Sequence, residues 1–336
     1  MNMQEAFGKM AACKGGGREF AALLREMREE GGEGLLRQVA GVCPDAEKLL
    51  GAEMARSWPD GEEALYAEFV AAMPYRPDPR RMPCGRRERF VAEALADRSL
   101  GKPMRVALWR AFAMGGLKIP RYGGRGTWDM PEALVDHTSA RSWLCAARDG
   151  AWKDLRNSDP DFFMDNKPPA LKTDFEKDAW KAIEEDSPAG LLMPLALMGK
   201  TLPLAFFREV LKGRATKILT YLLADGERAF KFMAPREILF YLCANWNDDA
   251  AIPLVALLEK ASPGVVAGSV DRFGHDALWY TLYQRDRTGR ATPAARRTMD
   301  PLDASLIELG CDPARECFLG LSWQDVAEPP EAVDGN

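Results

Sequence analysis

Arginine is the residue type whose clustering could do chemistry in this chain. Arg76, Arg80, Arg81, Arg86, Arg87 and Arg89 crowd the proline-rich stretch 74–89, and Arg285, Arg287, Arg290, Arg296 and Arg297 crowd a second stretch, Gln284 to Asp303. A guanidinium presents a planar fork of N–H donors that fits carboxylates and phosphates. Two such loops could grip an acidic protein face or a nucleic-acid backbone. The plainer use is solubility and pairing with the chain's own acids. The net charge of −5 weighs against a dedicated nucleic-acid binder, which is usually basic.

The other reactive residue types do not assemble. His137 and His275 are the only histidines, and catalysis by histidine needs a partner. His275 is expected in an exposed turn tip and His137 near a helix start. Cys311 and Cys317 stand at C-x5-C, whereas zinc wants a closer pair or two further ligands. Asp159, Asp161 and Asp165 fall in one loop, but counting from Asp159 puts Phe163, Met164 and Ala170 where a calcium loop needs an oxygen ligand, glycine and glutamate. The run from Lys14 to Arg18, K-G-G-G-R, lacks the spacing of a phosphate loop and follows no strand. No catalytic constellation, metal site or cofactor site is expected.

Helices must position whatever these residues do, because apolar residues recur at helical spacing and sustained period-2 alternation is missing. Phe20, Leu23, Leu24 and Met27 form one stripe, Leu65, Phe69, Val70 and Met73 another, and Met104, Leu108 and Phe112 a third. Pro103 suits a first helical turn, Pro44 and Pro59 punctuate, and Asp60 with Glu63 resembles a capping box. Residues 74–89 carry too many prolines for one helix, and the glycine-rich stretch 115–131 places a boundary near residue 125. The first residues lack a basic segment followed by an apolar one, so a signal peptide is not expected. The apolar run Leu191–Leu197 is too short for a membrane span and contains a proline. Seven scattered cysteines read as free thiols of a reducing compartment, which makes the cytoplasm the expected location.

Some segments repeat. Asp271 to Leu278 reads D-R-F-G-H-D-A-L, Leu306 to Pro313 reads L-I-E-L-G-C-D-P, and Gly320 to Ala327 reads G-L-S-W-Q-D-V-A. Trp143 to Gly150 (W-L-C-A-A-R-D-G) and Lys217 to Gly226 (K-I-L-T-Y-L-L-A-D-G) add a first-helix and a second-helix pattern, the latter with Ile218, Leu219, Leu222 and Leu223 as its buried stripe. Arg236–Asn245 and Ile252–Lys260, around a turn at Trp246 to Asp249, read as a further pair. Together these resemble the ankyrin pattern of a D-x-x-G-x-T-P-L turn, two helices, L-L-x-x-G-A-D and a new G-x-T turn. The T-P-L-H tetrapeptide is missing, its best copy being Asp276 to Trp279, D-A-L-W. Gly274 to Gly320 is 46 residues against a family period of about 33, a surplus that fits one insertion at Gln284 to Asp303. Residues 151–203 fit no repeat.

The resemblance implies an all-α fold: a helical N-terminal region over 1–125, an ankyrin-like helical repeat array (an α-solenoid) over 126–327 and a tail over 328–336. In that reading Asp271, Gly274, Gly310, Asp312 and Gly320 are turn residues, with Gly310 left-handed at a helix end. It implies a non-catalytic protein-interaction scaffold with a concave surface and finger loops. The candidate fingers are Glu227–Ala234, with Phe230 and Phe232, and Val270–His275, with Arg272 and Phe273. Arg287, Arg290, Arg296 and Arg297 of the insertion complete the candidate partner-binding set, for a protein with an acidic surface. Binding of a polyanion or nucleic acid through 76–89 and 284–303 is the alternative. Trp143 and Trp279 are expected to pack; Trp246 at an inter-helix turn and Trp128 in a glycine-rich loop are harder to bury, and although exposed tryptophan is enriched at binding hot spots, packing is the favoured reading for them too.

Overall fold

The computed structural model describes residues 1–13, 16–42, 49–73, 86–111, 171, 173–197, 204–224, 234–245, 248–271, 274–288, 300–317 and 319–327. These residues are mainly helical. No strand forms among them, only an isolated antiparallel bridge between Glu316 and Ser322. They divide into two units, one drawn from 1–148 together with 316–336, the other from 149–315.

The first unit is built on aromatic residues. Helix α1 (Met3–Ala12) starts at Asn2, whose Oδ1 accepts the Glu5 N–H at 2.9 Å. It packs on α2 (Gly17–Val42), a helix interrupted at Gly32, where φ is 70°. Gly17 is required by close approach: a Cβ there would sit 2.6 Å from the Met54 carbonyl oxygen, at the end of α3 (Ala52–Arg56). That packing role accounts for part of the glycine run at 15–17. The α2 stripe is buried as its spacing predicts, against α4 (Glu63–Ala72). Phe20 meets Phe69 edge-on at 4.9 Å and Trp58 at 5.9 Å, and Trp58 lies 4.7 Å from Tyr66. Burial raises the Tyr66 phenol above its ordinary value, and its hydroxyl donates to the Leu49 carbonyl at 3.1 Å. The capping box expected from Asp60 and Glu63 does not form. The N-cap of α4 is Glu62, with no side-chain cap bond, because Pro59 and Gly61 turn the chain before the helix begins.

Helices α5 (Arg86–Ala96) and α6 (Lys102–Trp109) complete this unit, with Pro103 in the first turn of α6 as read. The last helix among the described residues, α16 (Trp323–Ala327), packs on α6. Three cations of α6 and its end hold that segment. The buried Arg105 donates to the Leu319 carbonyl at 2.6 Å, Arg110 to the carbonyls of Val326 and Asp325 at 2.9 Å each, and Lys102 pairs with Asp325 at 2.7 Å.

The second unit is a series of helix pairs: α7 (Asp174–Glu184) with α8 (Pro188–Leu197), α9 (Leu204–Lys212) with α10 (Thr216–Ala224), α11 (Pro235–Asn245) with α12 (Asp248–Ala261), and α14 (Ala277–Thr288) with α15 (Pro301–Glu308). The short α13 (Val265–Gly268) precedes the last pair. Neighbour relations run in order. Second helices touch successively, α8 with α10, α10 with α12 and α12 with α15, while first helices α7 and α9, and α11 and α14, also touch. Ile218, Leu219, Leu222 and Leu223 are buried as the stripe predicts, and α11 and α12 match the pair expected at 236–260. The pair α7–α8 lies where no repeat was expected. Thr173 and Glu176 form a capping box at the start of α7, and Asp186 (φ 46°) turns the chain at its end. The Asp186 carboxylate accepts the N–H groups of Lys217 and Ile218 at 3.0 and 2.9 Å. It thereby caps the first turn of α10, thirty-odd residues away in sequence, where partial positive charge collects.

Two expectations about the insertion are corrected. Helix α14 continues to Thr288, so Gln284–Thr288 is helical, with Arg287 in its last turn. At the other end, Asp300 is the N-cap of α15, and Asp303 is fully buried, accepting the Thr281 hydroxyl at 2.7 Å. Asp303 is helix structure rather than loop charge; residues 289–299 lie outside the described residues.

Candidate functional site

The turns come first, because the finger-loop reading depends on them. At 271–276 the Asp271 N–H donates to the His275 carbonyl (2.9 Å) and the Gly274 N–H to the Asp271 carbonyl (3.1 Å), with Gly274 at φ 78°. At 317–322 the Cys317 N–H donates to the Leu321 carbonyl (2.8 Å) and the Gly320 N–H to the Cys317 carbonyl (2.8 Å), with Gly320 at φ 65°. The residue after each turn starts a helix. Asp276 Oδ1 accepts the N–H groups of Leu278 and Trp279, and Ser322 Oγ accepts that of Asp325. One backbone motif therefore recurs at the spacing read from Gly274 and Gly320, and Asp276 and Ser322 cap the helix that follows each copy.

His275 corrects the sequence reading. It is fully buried, not exposed at a tip, with its ring 4.6 Å from that of Trp279 and its Nδ1 3.3 Å from Asp271 Oδ2. Asp271 also accepts the Tyr280 hydroxyl at 3.1 Å, and Tyr280 stacks on Phe240 at 4.1 Å. The turn is folded inward by this polar cluster, which is roofed by rings and has no solvent-facing nucleophile. Burial holds the Asp276 carboxyl above its ordinary range and pushes the Cys311 thiol up to about 12, so Cys311 is an inert packed thiol. Among the described residues no group of three His, Cys, Asp or Glu side chains gathers as a metal site would require.

The exposed chemistry lies on α7 and α8. A groove of about 300 Å³ runs between them, lined by Phe175, Asp178, Lys181, Ala182 and Glu185 on one side and Gly190, Met193, Pro194 and Leu197 on the other. Ala182 and Gly190 bring the helices close: a Cβ on Gly190 would stand 3.2 Å from that of Ala182. Pro194 has no N–H to give the Gly190 carbonyl one turn back. The α8 sequence, P-A-G-L-L-M-P-L-A-L, carries no charge. Leu191, Pro194 and Leu195 are buried, whereas Leu192, Met193 and Leu197 are 52%, 69% and 61% exposed. The acids stand on α7, where Lys181 is engaged by Glu185 at 3.8 Å and Lys177 by Asp174 at 2.9 Å.

The candidate residues named from sequence do not test this arrangement. Phe230, Phe232, Arg272, Phe273, Arg290, Arg296 and Arg297 lie outside the described residues, as do Trp128, Trp143, Trp246 and His137; of Arg287 only the helical backbone is described. In the first arginine cluster, Arg76, Arg80 and Arg81 also lie outside. Arg87 corrects the loop reading. It sits in α5, is buried, and donates to the carbonyls of Ala71 (at 3.3 Å) and Met73 at the end of α4. A guanidinium there satisfies C-terminal carbonyls and the negative end of the helix dipole, and it faces inward. The apolar face of α8 was missed because its run was weighed only as a membrane span. The available signal was a helix apolar on all sides, which must be covered all round or expose a sticky face.

No family model matches the sequence, and no curated protein or solved structure matches it either. No helix among the described residues is long and apolar enough to cross a membrane.

Proposed function

We propose that this chain is a non-catalytic protein-interaction scaffold of the cytoplasm, its second unit a diverged ankyrin-like array. The observation that carries the reading is the order of packing. Second helices α8, α10, α12 and α15 follow one another, as the members of stacked helix pairs do in a solenoid. The turn at 271–276 and the glycine ending α15 support it, and the same turn recurs at 317–322 in the first unit. Stacked pairs offer a long surface whose exposed residues change without disturbing the core, a property that suits recognition. The buried free thiols Cys311 and Cys317 support a reducing location.

The test is capture of partners from the cells that make the protein, using the full chain, with and without nuclease and across a salt series. A discrete protein partner that survives nuclease supports the scaffold. Capture that vanishes with nuclease and falls steeply with salt refutes it in favour of polyanion binding.

A further inference from the structure

We infer that the α7–α8 groove docks an amphipathic helix of a partner protein, seated by its apolar edge and flanked by lysine or arginine. The inference rests on the scaffold reading and names the partner chemistry of one place on it. Three observations converge. The floor is apolar and exposed, with Met193 and Leu197 each more than half accessible beside the half-buried Phe175. Its lining residues on α8 recur at 190, 193, 194 and 197, about two helical turns or ~10 Å of length. A partner helix matches that with side chains at i, i+3 or i+4, and i+7, the spacing by which helices lie in grooves.

The rim supplies the charge argument. The charged residues of the lining are Asp178, Lys181 and Glu185, and Lys181 pairs with Glu185 at 3.8 Å at the end of α7, which leaves Asp178 as the charge an occupant meets. Asp178 lies on the groove wall, and the α8 residues lining the other side carry no charge. An occupant with acidic flanks would meet like charge; one with basic flanks would meet an opposite charge in Asp178.

The experiment uses the full chain and two fluorescein-labelled synthetic peptides of about 16 residues, long enough to hold helix when docked. Both carry one leucine stripe; one has lysine flanks, the other glutamate. Anisotropy titration should show the lysine peptide binding about tenfold tighter than its twin, in a salt-sensitive way. Met193→Glu should weaken it by about tenfold or more, the scale of one buried methionine side chain. The pair Asp178→Lys and Glu185→Lys should reverse the preference between the twins. Circular dichroism melts verify folding of each variant. If Met193→Glu is unfolded, Met193→Gln and the exposed charge reversal carry the test.

Equal binding of the twins, or binding indifferent to these substitutions, overturns the inference. So does a concentration-dependent dimer by light scattering that Met193→Glu abolishes, which would make the occupant a second copy. Co-sedimentation with phosphatidylcholine–phosphatidylserine vesicles, lost in the same variant, would make it a lipid surface and equally overturn it. Twins left undiscriminated while a captured protein still binds Met193→Glu would refute the groove and leave the scaffold standing. Discrimination of the twins without any nuclease-resistant partner would do the reverse.

Discussion

Gly310→Ala tests the closure of α15 at one atom. Gly310 follows α15 with φ 103°, its N–H bonds the Ile307 carbonyl at 2.9 Å, and the next N–H, of Cys311, bonds the Leu306 carbonyl at 3.0 Å. This is the paired 5→2 and 6→1 pattern that closes a helix through a left-handed residue. A side chain in that region costs about 1–2 kcal/mol. The new Cβ would also stand 3.0 Å from the Ala267 Cβ, on α13, so that α13 must give way. Against this, alanine narrows the unfolded ensemble and returns about 0.4–1 kcal/mol. The net loss is about 1 kcal/mol for alanine and larger for Gly310→Val, whose branched carbon is a severe outlier at positive φ.

Urea unfolding of the full chain should show a lower midpoint with unchanged slope, and Tm should fall by about 2–4 °C. Amide exchange at Cys311, whose N–H closes the motif, should accelerate more than exchange within α11. Gly268→Ala is the control. Its φ is not positive and a Cβ there meets nothing within 4 Å, so it should be neutral or slightly stabilising. If Gly310→Ala is as stable as Gly268→Ala, the left-handed closure does not hold α15 and the reasoning fails.

Arg87→Met leaves the carbonyls of Ala71 and Met73 without their charged donor and should destabilise by about 1.5–3 kcal/mol, while retention on heparin stays unchanged; lost retention with an unchanged melt would reinstate the polyanion role. Asp186→Asn keeps the left-handed turn tolerable but can accept only one of the two N–H bonds at the start of α10, so it should cost about 1 kcal/mol, read as a lower urea midpoint. An unchanged midpoint would mean that cap contributes nothing. Asp276→Asn should raise Tm at neutral pH. Burial, only partly offset by the Trp279 and Leu278 N–H groups and by Arg315, holds this carboxyl above the ordinary aspartate range, so its contribution to stability is complete below the unfolded pKa and is lost as pH rises through the folded one. The amide keeps the cap without the charge, and its advantage should vanish near about pH 3. A lower Tm than wild type at neutral pH would refute this.

Residues whose role depends on their own spacing were legible. The stripes of α2 and α10 are buried where periodicity put them, and the glycines at 274, 310 and 320 adopt positive φ because the turn leaves no alternative for a side chain. Residues whose role depends on distant neighbours were not. Arg87 counts as loop charge in sequence, but carbonyls of α4 turn it inward. His275 counts as a turn tip, but Asp271, Trp279 and Tyr280 close over it. The pair α7–α8 escaped because Asp186, not glycine, makes its left-handed turn, and its compensation, the cap on α10, comes from another pair. The groove was hidden for a related reason. Composition revealed that α8 is apolar all round, yet only packing divides it into a face against α7 and α10 and a face left open.

The two recurring turns separate what the backbone requires from what side chains add. Positions 274 and 320 need glycine, and positions 276 and 322 need a short oxygen-bearing side chain to cap a helix. Positions 271 and 275 hold Asp and His, whereas their counterparts 317 and 321 hold Cys and Leu, with the same pair of backbone bonds. The hairpin thus closes as well around a thiol and an aliphatic chain as around a buried acid and imidazole. The Asp271–His275–Tyr280 cluster is therefore not something the backbone pattern requires, although in this copy Asp271 Oδ1 also accepts the His275 N–H at 2.9 Å. Its contribution must lie in what it joins: Tyr280 is on α14 and stacks on Phe240 of α11, so the acid ties the turn to the contact between two successive first helices. The same backbone turn thus recurs around different buried side chains, which is why the glycine spacing made it legible while the buried residues around it did not.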